Sequence, residues 1–356
     1  GPVTFCHGVF RRGEKGVAGP FNVPGSREGA ASWTDLSGRL WLFGGASDTP
    51  PKQGYYNDLW MYDPVTREWT WLAGNDRVNQ PSSYGTMGVP DPSNVPGART
   101  DAMTWTGPGG DLWLYGGHGY GIMRDTAGDL SDLWRYDIAT NDWTWVSGNV
   151  GLNCPGFYGT QGDPDPANMP GARHGAVSWT DAAGGLWLFG GEGYAAHQPG
   201  WLNDLWRYDL TSRLWTWESG SDRESPPGSY GVKGVADPAN VPGGRTGAVS
   251  WTDSQDRLWL FGGTGRISAA NSGRLNDLWR YDPVSRQWIW MAGSDIRDQL
   301  GTYGIRRIPD PANAPGGRYR AVSWSDGTDR LWLFGGMGLD SLIPGDGMPN
   351  DLWVFD

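Results

Sequence analysis

The chain contains four histidines and two cysteines, few enough that each can be weighed as a metal ligand or nucleophile. His118 follows a glycine pair, His174 follows an arginine, and Cys154 lies between them. Imidazole and thiolate together can hold zinc or copper. The spacing of His118, Cys154 and His174 matches no metal signature, so neither a metal nor another cofactor is expected. His7 and His197 stand apart in loop-like stretches. Paired carboxylates can hydrolyse glycosides, and Asp163/Asp165 and Asp253/Asp256 are close in sequence. Both pairs fall in turns that recur along the chain, where solvated or turn-capping acids are the expectation. Asp91, Asp165, Asp237 and Asp310 each open an Asp-Pro-x-Asn motif; such a motif can bind calcium, but its expected role is to cap its own turn. Gly-x-Ser-x-Gly, His-Glu-x-x-His, Gly-x-Gly-x-x-Gly and Walker sequences do not occur, which removes the usual hydrolase and nucleotide chemistries.

A second set of residues suits recognition. Tyr55, Tyr56, Tyr120, Tyr194 and Trp201, with Lys52, Arg124, Arg266 and Arg274, lie in the segments 46–56, 118–130, 192–202, 264–275 and 337–349. These segments differ from one another while their surroundings repeat. Aromatic and arginine side chains on varied loops over a rigid frame fit protein or sugar binding. A further five arginines, Arg27, Arg99, Arg173, Arg245 and Arg318, recur once per repeat. They could ring a channel mouth and attract an acidic ligand. Identity in every copy favours a frame role instead, with the guanidinium bonded to carbonyls or to an aspartate of an adjoining repeat.

What positions these residues is a repeat. Leu-Trp-Leu-(Phe/Tyr)-Gly-Gly occurs at 40–45, 112–117, 186–191, 258–263 and 331–336, with spacings of 72, 74, 72 and 73 residues. A period of that size marks a repeat architecture. Each copy reads as a four-stranded meander: a short strand, a tight turn, the Leu-Trp-Leu strand, a longer loop, the Asp-Leu-Trp strand, a tight turn and a Trp-x-Trp strand. The second strand is apolar on both sides, so it must be covered on both sides. Small four-stranded sheets stacked face to face around an axis meet that demand.

The pattern resembles the kelch family. The resemblance rests on the glycine pair, on Asn-Asp-Leu-Trp-x-Tyr-Asp at 57–63, 203–209 and 276–282, on the following Trp69, Trp215 and Trp288, and on the arginine before each first strand. It covers nearly the whole chain and implies an all-β propeller that binds through the face carrying its long loops. Kelch propellers also include galactose-oxidase-like copper enzymes, whose metal needs converging His and Tyr ligands. At about 73 residues the repeat exceeds the ~50 of a kelch blade. The surplus lies between fourth strand and next first strand, with Tyr-Gly and Asp-Pro-x-Asn at matching offsets. It is expected to form an ordered flap packed on the blades.

The expected molecule is a single propeller of five four-stranded blades, at 24–95, 96–169, 170–241, 242–314 and 315–356. The fifth copy stops before its Trp-x-Trp strand, and residues 1–23 match a flap; residues 4–10 are a candidate for the absent strand. Net charge is −11, which speaks against nucleic acid and against a polybasic membrane role. No apolar run is long enough to span a bilayer, and no signal-peptide pattern begins the chain. The 24 tryptophans and 58 glycines, with the acidity, point to an extracellular or cell-surface setting. The function expected is non-enzymatic binding of a protein or glycan. The alternatives are a galactose-oxidase-like or sugar-epimerising enzyme, and a subunit that self-associates through the last blade edge or the flaps.

Overall fold

The computed structural model describes residues 13–48, 53–268, 271–339 and 347–356, and they are all-β. His7, Lys52 and residues 4–10 lie outside the described residues. The chain divides into two compact units, Gly1–Gly128 with Asp132–Leu152, and Asp129–Ser131 with Asn153–Asp356.

In the first unit, Ala31–Thr34, Leu40–Phe43, Leu59–Asp63 and Glu68–Ala73 form one antiparallel sheet in chain order. Met103–Thr106, Leu112–Tyr115, Leu133–Asp137 and Asp142–Ser147 form the next. The second unit repeats the plan with Val177–Thr180, Leu186–Phe189, Leu205–Asp209 and Leu214–Ser219, to which Pro164–Asp165 adds an outer strand. Val249–Thr252, Leu258–Phe261, Leu278–Asp282 and Gln287–Ala292 follow. Among the described residues the last sheet has three strands, Val322–Ser325, Leu331–Phe334 and Leu352–Phe355.

Aspartates set the tight turns. Asp253 Oδ1 accepts from the backbone N–H of Gln255 and Arg257, each at 3.0 Å, while its Oδ2 accepts from Arg257 Nε at 2.6 Å and Trp259 Nε1 at 2.7 Å. The turn before the fourth strand closes with a left-handed residue, Arg67, Asn141, Arg213 or Arg286, at φ 55 to 63°. At the end of the second strand, Gly191 has φ +92°, and a Cβ there would sit 2.8 Å from the His174 carbonyl oxygen. Only glycine allows the chain to turn that close to its neighbour.

Sheets pack face to face within each unit. Val177, Trp179, Trp187 and Phe189 meet Leu258, Leu260, Tyr281 and Trp288 of the following repeat. Val249, Trp251, Trp259 and Phe261 meet Leu331 and Leu333 in the same way, as do Trp33, Trp41 and Phe43 with Leu112, Leu114 and Trp143. All four residues of Leu186–Phe189 are therefore buried, the result demanded by a strand apolar on both sides. The first-strand indoles bond across this interface: Trp33 donates to the Trp113 carbonyl at 3.0 Å and Trp179 to the Trp259 carbonyl at 3.1 Å.

Candidate functional site

Each repeat anchors its loops with one buried cluster. Arg245 donates from NH1 and NH2 to Asp277 Oδ1 and Oδ2 at 2.7 and 2.8 Å, and from NH1 to the Gly262 carbonyl at 3.0 Å. Trp279 Nε1 and the Tyr230 hydroxyl also donate to Asp277 Oδ2, at 2.7 and 2.8 Å. Burial works against the Arg245 charge, but the Asp277 carboxylate outweighs it and holds the guanidinium pKa above its ordinary value. Burial first, and then the Asp277 charge, push the Tyr230 phenol well up, so its proton stays in place to be donated. Equivalent clusters join Arg27 to Asp58, Arg99 to Asp132, Arg173 to Asp204 and Arg318 to Asp351. The carboxylate comes from the same repeat as its arginine, which corrects the expectation of an adjoining one. The four arginines from Arg99 onward are at most 1% exposed, so they do not line a channel mouth.

The tyrosine, by contrast, comes from the flap of the preceding repeat: Tyr84 reaches Asp132 and Tyr158 reaches Asp204, at 2.9 and 2.5 Å. The flap continues along the fourth strand of the sheet it reaches. Gly88 N and Gly234 N donate to the Trp145 and Trp290 carbonyls at 2.7 and 2.8 Å. Asn94 and Asn240 Nδ2 donate to the Trp143 and Trp288 carbonyls at 3.0 and 3.2 Å. Residues 13–22 do the same on the first sheet, through Gly16 N to the Trp71 carbonyl at 2.8 Å. The Asp-Pro-x-Asn aspartates cap their own turns, as when Asp237 Oδ1 accepts from Ala239 N at 2.8 Å. Sequence reasoning missed the tyrosine contacts; the constant Tyr-Gly offset was their signal.

On this base the segments after the glycine pairs fold as hairpins paired to the arginine strand. Arg173–His174 pairs with Glu192–Tyr194, which pairs with Pro199–Trp201. Arg245–Thr246 pairs with Thr264–Ser268, which pairs with Asn271–Arg274. The two hairpins are neighbours, since Arg245 N donates to the Leu202 carbonyl at 3.0 Å. Register Glu192↔Trp201 and Tyr194↔Pro199 puts Glu192, Tyr194 and Trp201 on one face of the first hairpin, because alternate residues share a face. Register Thr264↔Arg274 and Arg266↔Ser272 puts Arg266 and Arg274 at the matching positions of the second. An aromatic pair is thus followed by a guanidinium pair, all four half-buried.

In the first unit, half-buried Tyr55 meets Tyr120 and His118 edge-on at 6.1 and 5.9 Å. Burial, with Tyr120, Asp101 and Asp48 nearby, pushes its phenol up. Arg124 is exposed. Tyr56 has to be withdrawn as a surface residue: it is 2% exposed and lies under the Arg27 guanidinium at 4.4 Å. Of the candidate metal ligands, His174 Nδ1 lies 2.9 Å from Asp129 Oδ1. Cys154 is half-buried, and burial raises its thiol pKa, which works against the thiolate a metal needs. It joins no group of three ligand atoms among the described residues.

No protein-family model matches the chain. Among solved structures it is similar to one titled "Structure of YjhT", a kelch-type propeller protein, with a TM-score of 0.56 and 16% identity over 93% of this chain and 84% of that one. The fold is propeller-like. Stacked antiparallel sheets are the local form of that architecture; the three middle sheets hide both sides of their Leu-Trp-Leu strand, whereas Leu40 of the first sheet and Phe334 of the last stay exposed. The hairpins and the buried arginine clusters belong to the same end of each sheet, after its second strand.

Proposed function

We propose that this chain is a non-enzymatic kelch-type propeller whose five repeats act as blades and whose hairpins bind a protein or glycan, in an extracellular or cell-surface setting. One observation carries the reading: Tyr194 and Trp201 share a hairpin face while arginines take their places on the next hairpin. The sheets beneath repeat almost unchanged, so this is where the molecule differs from itself. Aromatic rings stack on sugar faces or fill partner pockets at low entropic cost, and the adjacent guanidiniums add attraction for carboxylates. The buried Arg–Asp clusters hold the hairpins before any partner arrives, which lowers the ordering cost of binding.

A glycan array and a pull-down from the native source identify the partner. Tyr194→Ala and Trp201→Ala should then each weaken binding roughly thirtyfold, the equivalent of a ~2 kcal/mol anchor. Their thermal midpoints should stay close to the parent value, as substitutions at surface sites do. A collapse of the midpoint would make both residues core and put recognition elsewhere.

A further inference from the structure

One fourth strand departs from the pattern of the others. The residue after Trp-x-Trp is apolar in three sheets, as Leu72, Val146 and Met291, and is Glu218 in the third. Its side chain is only 7% exposed. The groups that face it come from four elements. Within its own sheet, Arg207 stands opposite Thr216, on the face that Glu218 shares, but is bonded to Asp181 at 3.1 Å and to Asp209 at 3.4 Å. The flap lying on this strand contributes Gly162, whose N–H donates to the Trp217 carbonyl at 2.8 Å. From the fourth sheet come Tyr281, with Asp282 next to it, and Arg286 in the following turn.

These neighbours leave the acid poorly matched. Arg286 Nε lies 3.5 Å from Glu218 Oε2, and Oε2 accepts no hydrogen bond among the described residues. The Arg286 side chain is 55% exposed, so water screens its pull. A Cβ on Gly162 would sit 2.7 Å from Arg286 NH1, which puts the outer end of the guanidinium against the flap. The Tyr281 hydroxyl is also buried with no partner among the described residues. Its counterpart Tyr136 donates to Asn141 Oδ1 at 3.0 Å. Arg286 holds the place of that asparagine, and a guanidinium has no acceptor to offer. Burial pushes the Glu218 carboxyl up, against the weaker pull of Arg286 and Arg207. Burial and then the Glu218 charge push the Tyr281 phenol up as well.

We propose that Glu218 is a proton-operated latch between the third and fourth sheets, which hold together more firmly when its carboxyl is protonated than when it is charged. A proton taken from water removes a buried charge that no hydrogen bond at Oε2 compensates, and desolvation is the larger cost of such a charge. It also gives the side chain a donor beside its acceptor, the chemistry that Asn141 supplies in the second sheet. The two sheets carry the hairpins with Tyr194 and Trp201 and with Arg266 and Arg274, so acidification firms the base from which both spring. The latch does not require that those hairpins bind. An acid whose folded pKa is raised weakens the fold above that pKa, and the penalty is relieved as pH falls toward the ordinary value of 4.5.

Glu218→Gln keeps the shape of the protonated side chain at every pH. Melting the parent and this variant from about pH 8 down to 4.5 reads the latch as the gap between two midpoints, in which the other titrating groups cancel. The variant should melt ~2 °C or more above the parent at the alkaline end, and the gap should close as pH falls. Amide exchange at 214–219 and 278–282 should be ~3-fold or more faster in the parent at the alkaline end and equal in the two at the acid end. Glu218→Met, which installs the residue of the fourth sheet, should change its gap to the parent over the same range and in the same direction. A glutamine variant that melts below the parent at the alkaline end would make the charged Glu218–Arg286 pair the tie and overturn the proposal. Gaps that stay constant with pH in both variants would overturn it too, leaving Glu218 as packing alone.

Discussion

Asp277→Asn tests an anchoring cluster at the carboxylate to which its arginine, tyrosine and tryptophan all donate. The carboxylate is fully buried and receives four bonds: Arg245 NH1 on Oδ1, then Arg245 NH2, Tyr230 and Trp279 on Oδ2. An amide cannot serve both oxygens. Turned one way its NH2 faces Arg245 NH1; turned the other it faces three donors. Either way the Arg245 charge loses its counter-charge inside the protein. Breaking one side of a buried pair costs about 3–5 kcal/mol. For a cooperative unit of this size each kcal/mol lowers the midpoint by about 2–4 °C, so the transition should fall by roughly 6–20 °C. Differential scanning calorimetry reads it directly. Arg245→Met should cost less, because it leaves an acid able to take up a proton and keep its Tyr230 and Trp279 donors. The double variant should cost less than the two single costs combined, as expected of residues in one network. A drop below ~2 °C for Asp277→Asn, or strict additivity, would refute the claim that the pair acts as one anchor.

Two further outcomes follow from the same contacts. Asn168→Ala removes bonds to the Asp163 and Trp215 carbonyls and from Gly159 N; it should cost about 2–3 kcal/mol and make residues 156–170 the first site of limited proteolysis, whereas parent-like digestion would show the flap held by other means. Burial opposes the Asp351 charge, but bonds from Arg318, Tyr303 and Trp353 outweigh it and hold its pKa at about 2 against an ordinary 3.8. An acid whose folded pKa is depressed stabilises the fold above its unfolded pKa and loses that contribution as pH falls through the folded value. The thermal midpoint should therefore drop between pH 4 and pH 2, and drop less in Asp351→Asn; equal slopes would remove Asp351 from the account.

The meander, its strand order and the short fifth copy were legible because Leu-Trp-Leu and Asp-Leu-Trp alternate with turn residues at a fixed period. Partner choice between copies was not. Arg245 and Asp277 are 32 residues apart, but a periodic chain offers an equivalent aspartate in the copy before, and composition cannot rank the two. Packing decides, since the arginine and the glycine turn it bonds belong to one sheet. The same ambiguity hid the direction of the flaps. At the candidate site, Tyr55 and Tyr56 are adjacent, so one must face inward when the other faces out; nothing in a two-residue run says which. The segments read as loops became hairpins, and only their register revealed that Tyr194 and Trp201 share a face.

The forward reach of the flaps changes what counts as an exchangeable piece of this molecule. A cut at Gly97, just before the arginine that opens the motif, would part Tyr84 and Asn94 from Asp132 and Trp143, the groups they hold. A cut just after Ala73, where a fourth strand ends, keeps each flap with the sheet it clasps. Chimaeras, permuted chains and added copies should be spliced there, and any lineage that gained or lost copies intact would have recombined at the same seam.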